Sequence, residues 1–118
     1  MTRDSSVLIL ISADPRETHR ANEAMRIGLG IVAGENDVSF VLRGLAVHLL
    51  DGDTDDLVDG DDIAKFRANL KRLDIPFHVE EADLPDDADW NADGHPVRRV
   101  SRADVVGLLR AARRVLVF

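Results

Sequence analysis

The sequence predicts an α/β fold, a three-layer α/β/α sandwich around a mostly parallel sheet of about five strands. Three observations lead there. Val7–Ile11 and residues 115–118 are unbroken apolar runs of strand length, the signature of strands covered on both faces. Segments with apolar residues at spacings of three and four lie between such runs. The connections are of helical length, which imposes parallel pairing and right-handed crossovers.

Taken in order, Val7–Ile11 lies between Ser5-Ser6 and Ser12-Ala13-Asp14-Pro15 and is read as the first, central strand. Asp14 then reads as a helix cap, with Pro15 at the first helical position and Glu17 completing a capping box; Thr18 is a second candidate cap. Ala21, Ala24, Met25, Gly28, Leu29, Ile31 and Val32 form one broad apolar helix face, which Gly34 closes. Residues 37–42 are the second strand. Arg43-Gly44 turns out of it into the apolar stretch 45–50, which fits either a helical turn or an extended flap.

Residues 51–62 read as an acidic surface loop, followed by Ile63, Phe66, Leu70 and Leu73 at helical spacing and a stop before Pro76. Residues 77–79 are the third strand. Residues 81–96 are rich in Asp, contain Pro85, Gly94, Pro96 and the single tryptophan Trp90, and lack periodicity, so they read as a long excursion. Val97–Val100 is a short fourth strand, and Ser101-Arg-Ala-Asp104 is a capping box that opens a helix with Val105, Leu108, Leu109 and Ala112 on one face. Residues 115–118 close the sheet as a fully apolar strand.

At 118 residues one hydrophobic core is expected, spanning 1–118 as a single domain. Cysteine is absent, which removes disulfides, thiolate metal sites, iron–sulfur clusters and cysteine nucleophiles from consideration within these residues. The first apolar run is far too short for a secretion signal or a membrane span, so the cytoplasm is the expected location and a membrane is not an expected partner. A net charge of −7 repels phosphate backbones and anionic lipids, which makes nucleic acid an unlikely partner. Lysine occurs only at Lys65 and Lys71 against a majority of arginine, a bias that genome composition explains as readily as anion binding does.

Val7–Ile11, the stretch from Thr18 to Met25, residues 38–50 with their Arg-Gly-Leu-Ala-Val-His-Leu-Leu ending, Asp62-Ile-Ala-Lys-Phe66, Phe77–Glu80 and residues 101–118 follow one another in a pattern. In this order they resemble the DsrE/DsrF-like sulfur-relay family, of the TusBCD type, which includes the subunits of the bacterial tRNA-thiolation relay complex. The resemblance covers most of the chain outside residues 82–96. It implies the same fold and assembly into trimers, hexamers or mixed complexes with related subunits, a dimer remaining open. In that family the third strand ends in a valine followed by the cysteine that holds a persulfide. Here Glu80 follows Val79 at the matching position. A carboxylate neither accepts nor passes on sulfane sulfur, so the transfer activity does not carry over.

In open parallel sheets ligands lie beyond the carboxyl ends of the strands. That edge would gather Ser12 and Asp14 after strand one, Arg43 and Gly44 after strand two, and Glu80 and Glu81 after strand three, with Thr18, His19, Arg20 and His48 facing the same crevice. Arginine and a helix N-terminus there suit an anion, and the glutamates could orient it or relay protons. The plainer account makes these charges solvated loop ends or contacts between subunits.

Asp51, Asp53, Asp55 and Asp62 imitate a calcium loop, but Asp56 stands where the turn needs glycine and the last ligand is aspartate. His19, His48, His78 and His95 form no metal-binding pair by spacing, though His78 with Glu80 of a neighbouring subunit is a conceivable mixed site. No cofactor and no dedicated metal site is therefore expected. Trp90 needs cover, either from its own domain or from a neighbour. The leading expectation is a non-catalytic, oligomeric binding or scaffolding subunit. The alternatives are an enzyme or metal-binding protein that uses Glu80, Glu81, Arg43 and His48, and a sensor of an anionic metabolite.

Overall fold

The computed structural model describes residues 6–118, which build five strands, three α-helices and two 3-10 segments. In chain order these are β1 (Val7–Ile11), α1 (Arg20–Ala33), β2 (Val38–Leu42), the 3-10 segment Gly44–Leu50, α2 (Gly60–Arg72), β3 (Phe77–Glu80), the 3-10 segment Glu81–Asp83, β4 (Val97–Val100), α3 (Arg102–Ala111) and β5 (Arg114–Val117). All strands are parallel and lie in the order β4-β3-β2-β1-β5. The middle position belongs to β2; β1, expected to be central, lies between β2 and β5. The reason is the last crossover, which carries the chain from one edge back to the other side of β1.

Because side chains alternate across a strand, the register sorts the sheet into two unlike faces. Ile9, Ile11, Phe40, Leu42, Phe77 and Val79 are wholly buried on one face, where Ala21, Ala24 and Met25 of α1 and Ile63 and Leu70 of α2 join them. Gly28 is where α1 comes closest: a methyl group there would lie within 2.8 Å of Ile9 Cδ1 and closer still to the Phe40 ring, so only glycine permits this approach. The opposite face holds a smaller cluster, Leu8, Leu10, Val41 and Val105, under α3 alone. Thus α1 and α2 form one outer layer and α3 the other.

Local signals succeed or fail according to their tertiary partners. Ser101 and Asp104 make the expected capping box at 2.9 and 3.0 Å and open α3. The similar pattern at Asp14 does not start a helix. Its carboxylate is taken by the side chain and backbone of Arg16, residues 14–18 form turns, and α1 begins at Arg20 after His19. Thr18 accepts from Arg20 N at 3.3 Å, a local brace just before that start. Gly34 does close α1.

Residues 45–50 lie within a 3-10 segment, not a flap, and bury Ala46, Val47, Leu49 and Leu50. The loop after Asp51 ends sooner than expected, since α2 begins at Gly60 and places Asp61 and Asp62 in its first turn, where carboxylates suit the helix dipole. Leu73 departs from the expected buried face: it is the C-cap of α2 and more than half exposed. The last strand starts at Arg114, and its Val115 and Val117 are 39% and 62% exposed, because α3 does not reach over this edge.

The excursion from 81 to 96 is fastened at several points. Trp90 Nε1 donates to the Val47 carbonyl at 2.8 Å, and Asp51 and Trp90 form an isolated antiparallel bridge. Arg67 of α2, only 2% exposed, donates to the Leu49 and Asp51 carbonyls and to the Asp93 carboxylate. Asn91 bonds both the N–H and the C=O of His95. The indole is therefore covered by its own chain. No described helix is long and apolar enough to cross a membrane.

Candidate functional site

Three parallel strands ending side by side place their following residues along one edge. Ser12 after β1, Arg43 and Gly44 after β2, and Glu80 at the end of β3 line a cleft of about 330 Å³ together with Asp83 and Arg102. A second depression of about 510 Å³, lined by Glu80, Glu81, Ala82, Val100, Ser101 and Arg102, shares Glu80 and Arg102 with the first.

Each member has a local reason for its place. Gly44 adopts φ +54°, the left-handed region that glycine enters without strain, and its N–H donates to the Asp83 carboxylate at 3.0 Å. That bond ties the end of β2 to the 3-10 turn after β3. The register opposes Glu80 with Val100, so Ser101 and Arg102, the first residues of α3, come beside Glu80. Arg102 Nε lies 3.6 Å from Glu80 Oε1 while most of its side chain stays in solvent.

Glu80 is the unusual group. It is only 6% exposed, and its Oε1 accepts no hydrogen bond among the described residues. Carboxylates withdrawn from water normally gather donors, so a single long contact to an exposed guanidinium leaves this one under-supplied. Arg43 is half-buried, and its guanidinium has neither a hydrogen bond nor an ion pair among the described residues. The cleft thus holds an acceptor without a donor and a donor without an acceptor, and the two do not meet.

A second cluster forms around the 3-10 segment after β2. His48 Nδ1 donates to the two Asp51 oxygens at 3.1 and 3.0 Å, which leaves Nε2 as the ring's acceptor. Burial raises the Asp51 carboxyl above its usual range, against the lowering effect of the His48 bond. Asp14, close enough to feel His48, is held below the usual range chiefly by its hydrogen bonds to Arg16.

The residues expected in one crevice are therefore divided. Arg43 and Glu80 share the cleft, with Ser12 and Gly44; Glu81 lines the neighbouring depression; Asp14 and His48 belong to the second cluster. His19 is exposed at the N-cap of α1, 3.9 Å from Glu23, and Arg20 stacks over the Phe118 ring at 5.9 Å; neither lines the cleft. Sequence reasoning missed Asp83, Arg102 and the Asp51 partner of His48. Only the last left a readable trace, the three-residue spacing of His48 and Asp51 on a helical turn.

Other polar residues are occupied structurally. Asp53 and Asp89 accept backbone N–H groups within the acidic loops, and no group of three or more His, Asp or Glu placed to hold a metal ion occurs among the described residues. His78 faces the α3 side, and its Nδ1 donates to the Phe40 carbonyl at 3.1 Å; burial lowers its pKa, as it does for His95, which sits edge-on to Phe77.

The architecture has a solved counterpart. The chain shares its fold with the YchN protein of E. coli, a protein of the DsrE/DsrF-like fold. The two align with a TM-score of 0.74 over 97% of this chain and 99% of YchN, at 17% sequence identity. That likeness establishes the fold and nothing finer. No family profile matches the chain, and no curated protein matches it.

Proposed function

We infer that this chain is a binding or scaffolding subunit on the DsrE/DsrF-like fold, acting as a homo-oligomer and carrying no sulfur. The observation that supports it most is the buried carboxylate of Glu80 at the mouth of the sheet, in a chain with no thiol among its 118 residues. A carboxylate there can bind and orient, but it forms no persulfide. The exposed Val115 and Val117 on the edge strand offer apolar area to a second copy, and a trimer or hexamer is the assembly we favour, in the cytoplasm.

Two measurements test this reading. After exposure to polysulfide and gel filtration, intact-mass spectrometry should show the unmodified chain, and light scattering should give a multiple of 13.0 kDa. A sulfur adduct that survives denaturation, or a strictly monomeric particle, would sink it.

One observation favours a second reading, an enzyme using the same sheet edge: the His48–Asp51 pair, in which the carboxylate fixes the imidazole with one nitrogen free to take a proton. Conversion of a co-purifying small molecule by the native chain, lost in His48→Gln with the fold intact, would support this instead.

A further inference from the structure

We propose that the cleft between the ends of β1, β2 and β3 binds a small zwitterion, a molecule of amino-acid size with an ammonium group for Glu80 and an anionic group for Arg43. The proposal deepens the binding-subunit reading and rests on it.

Two charged groups of the cleft have unmet valences. Glu80 is more than nine-tenths buried, lines the cleft, and has an oxygen without a donor. Arg43 lines the same cleft with its guanidinium unmatched among the described residues. A simple anion would satisfy Arg43 and Arg102 while pressing its charge against Glu80 and Asp83. A simple cation would do the reverse. An occupant bearing both charges answers both ends, and the lining of two arginines and two carboxylates is neutral overall, so a neutral dipolar molecule enters without a net charge penalty.

The N-terminus of α3 lies at the Glu80 end of the cleft, so its first amides report on an occupant there. Its capping box uses the Asp104 N–H, while the Arg102 and Ala103 N–H groups fall in the turn that has no intrahelical acceptors. The Asp83–Gly44 bond ties the turn after β3 to the backbone beside Arg43, which holds the two strand ends together before any ligand arrives. A volume of about 330 Å³ lies at the small end of the ligand-pocket range and suits few heavy atoms.

The test uses amide NMR on the full chain, titrated with glycine, β-alanine and γ-aminobutyrate as zwitterions of growing charge separation. Acetate, phosphate and methylammonium serve as single-charge probes. The expected result is saturable shifts at the Gly44, Arg102 and Ala103 amides with at least one zwitterion and none of the single charges. Glu80→Gln and Arg43→Gln should each weaken that binding about tenfold or more, the scale of one charge-assisted hydrogen bond. Arg43 is partly exposed, so its variant keeps a folded reference if Glu80→Gln does not.

Acetate or phosphate saturating the cleft as well as the zwitterions, with Glu80→Gln unaffected, would overturn the proposal and leave a plain anion-binding subunit standing. Methylammonium doing so alone would overturn it in favour of a cation site. Silence from every probe would overturn it too, while the particle mass decides the oligomeric reading independently.

Discussion

On the side of the sheet under α1 and α2, six strand residues are wholly buried and all are apolar. On the side under α3, the strands present Leu8, Leu10 and Val41, but also His78 and Glu80, and then Val115 and Val117 in the open. One face is a core; the other is a core interrupted by ionisable groups. The lesson is a division of labour. Helices on the first side supply the stability that lets the second side bury an under-coordinated carboxylate and leave an edge uncovered.

The largest effect is expected from Phe40→Ala, which should cost about 3–5 kcal/mol in urea unfolding, whereas Val105→Ala on the other face should cost about 1–2.5 kcal/mol. Equal losses would mean the two faces carry the fold alike. Next, Arg67→Met should cost about 2–3 kcal/mol by stranding the Leu49 and Asp51 carbonyls, with faster hydrogen exchange at the Asn91 amide, which donates to Leu50. Unchanged exchange there would show that α2 does not hold the excursion.

A smaller effect concerns acid. His78 and His95 are kept neutral by burial, so their folded pKa values lie below the ordinary histidine value of about 6.5. As pH falls below that value the unfolded chain takes up protons that the folded chain refuses, and stability declines until the pH passes the depressed folded values. Unfolding midpoints between pH 7 and 5 should therefore fall, and His78→Gln should remove the share belonging to the α3 face. A flat profile would place these imidazoles in water.

The smallest change in stability, within about 0.5 kcal/mol, is expected from Val117→Arg, since the side chain is already in solvent. Its informative readout is size. Light scattering should report a smaller particle than the native chain forms, and an unchanged particle would move the interface away from β5.

Much of this architecture can be read from local chemistry, and the exceptions have a common cause. Val7–Ile11, the Gly34 stop and the Ser101–Asp104 box depend on neighbours in sequence, and they stand where expected. Asp14-Pro-Arg-Glu17 looks just as convincing but loses its helix, because Arg16 takes the carboxylate and the Pro15 carbonyl accepts from Val58 N, far along the chain. The site follows the same rule. Glu80 and Arg43 were each legible as the residue after a strand, although β3 runs one residue further and includes Glu80. Asp83 and Arg102 join them only through the turn after β3 and the β3–β4 register, which no local pattern encodes. Trp90 announced a need for cover without naming the Val47 carbonyl.

The pairing of β1 with β5 joins Val7 to Arg114 and Leu10 to Val117, the longest sequence separations in the sheet. Until Arg114–Val117 have been made, β1 therefore presents a bare row of backbone donors and acceptors to the surroundings. Closing that row requires a loop that encloses the other three strands, the slowest kind of contact to form. The nascent protein is thus most prone to aggregate before β5 has been made, and removing that strand would make the vulnerability permanent.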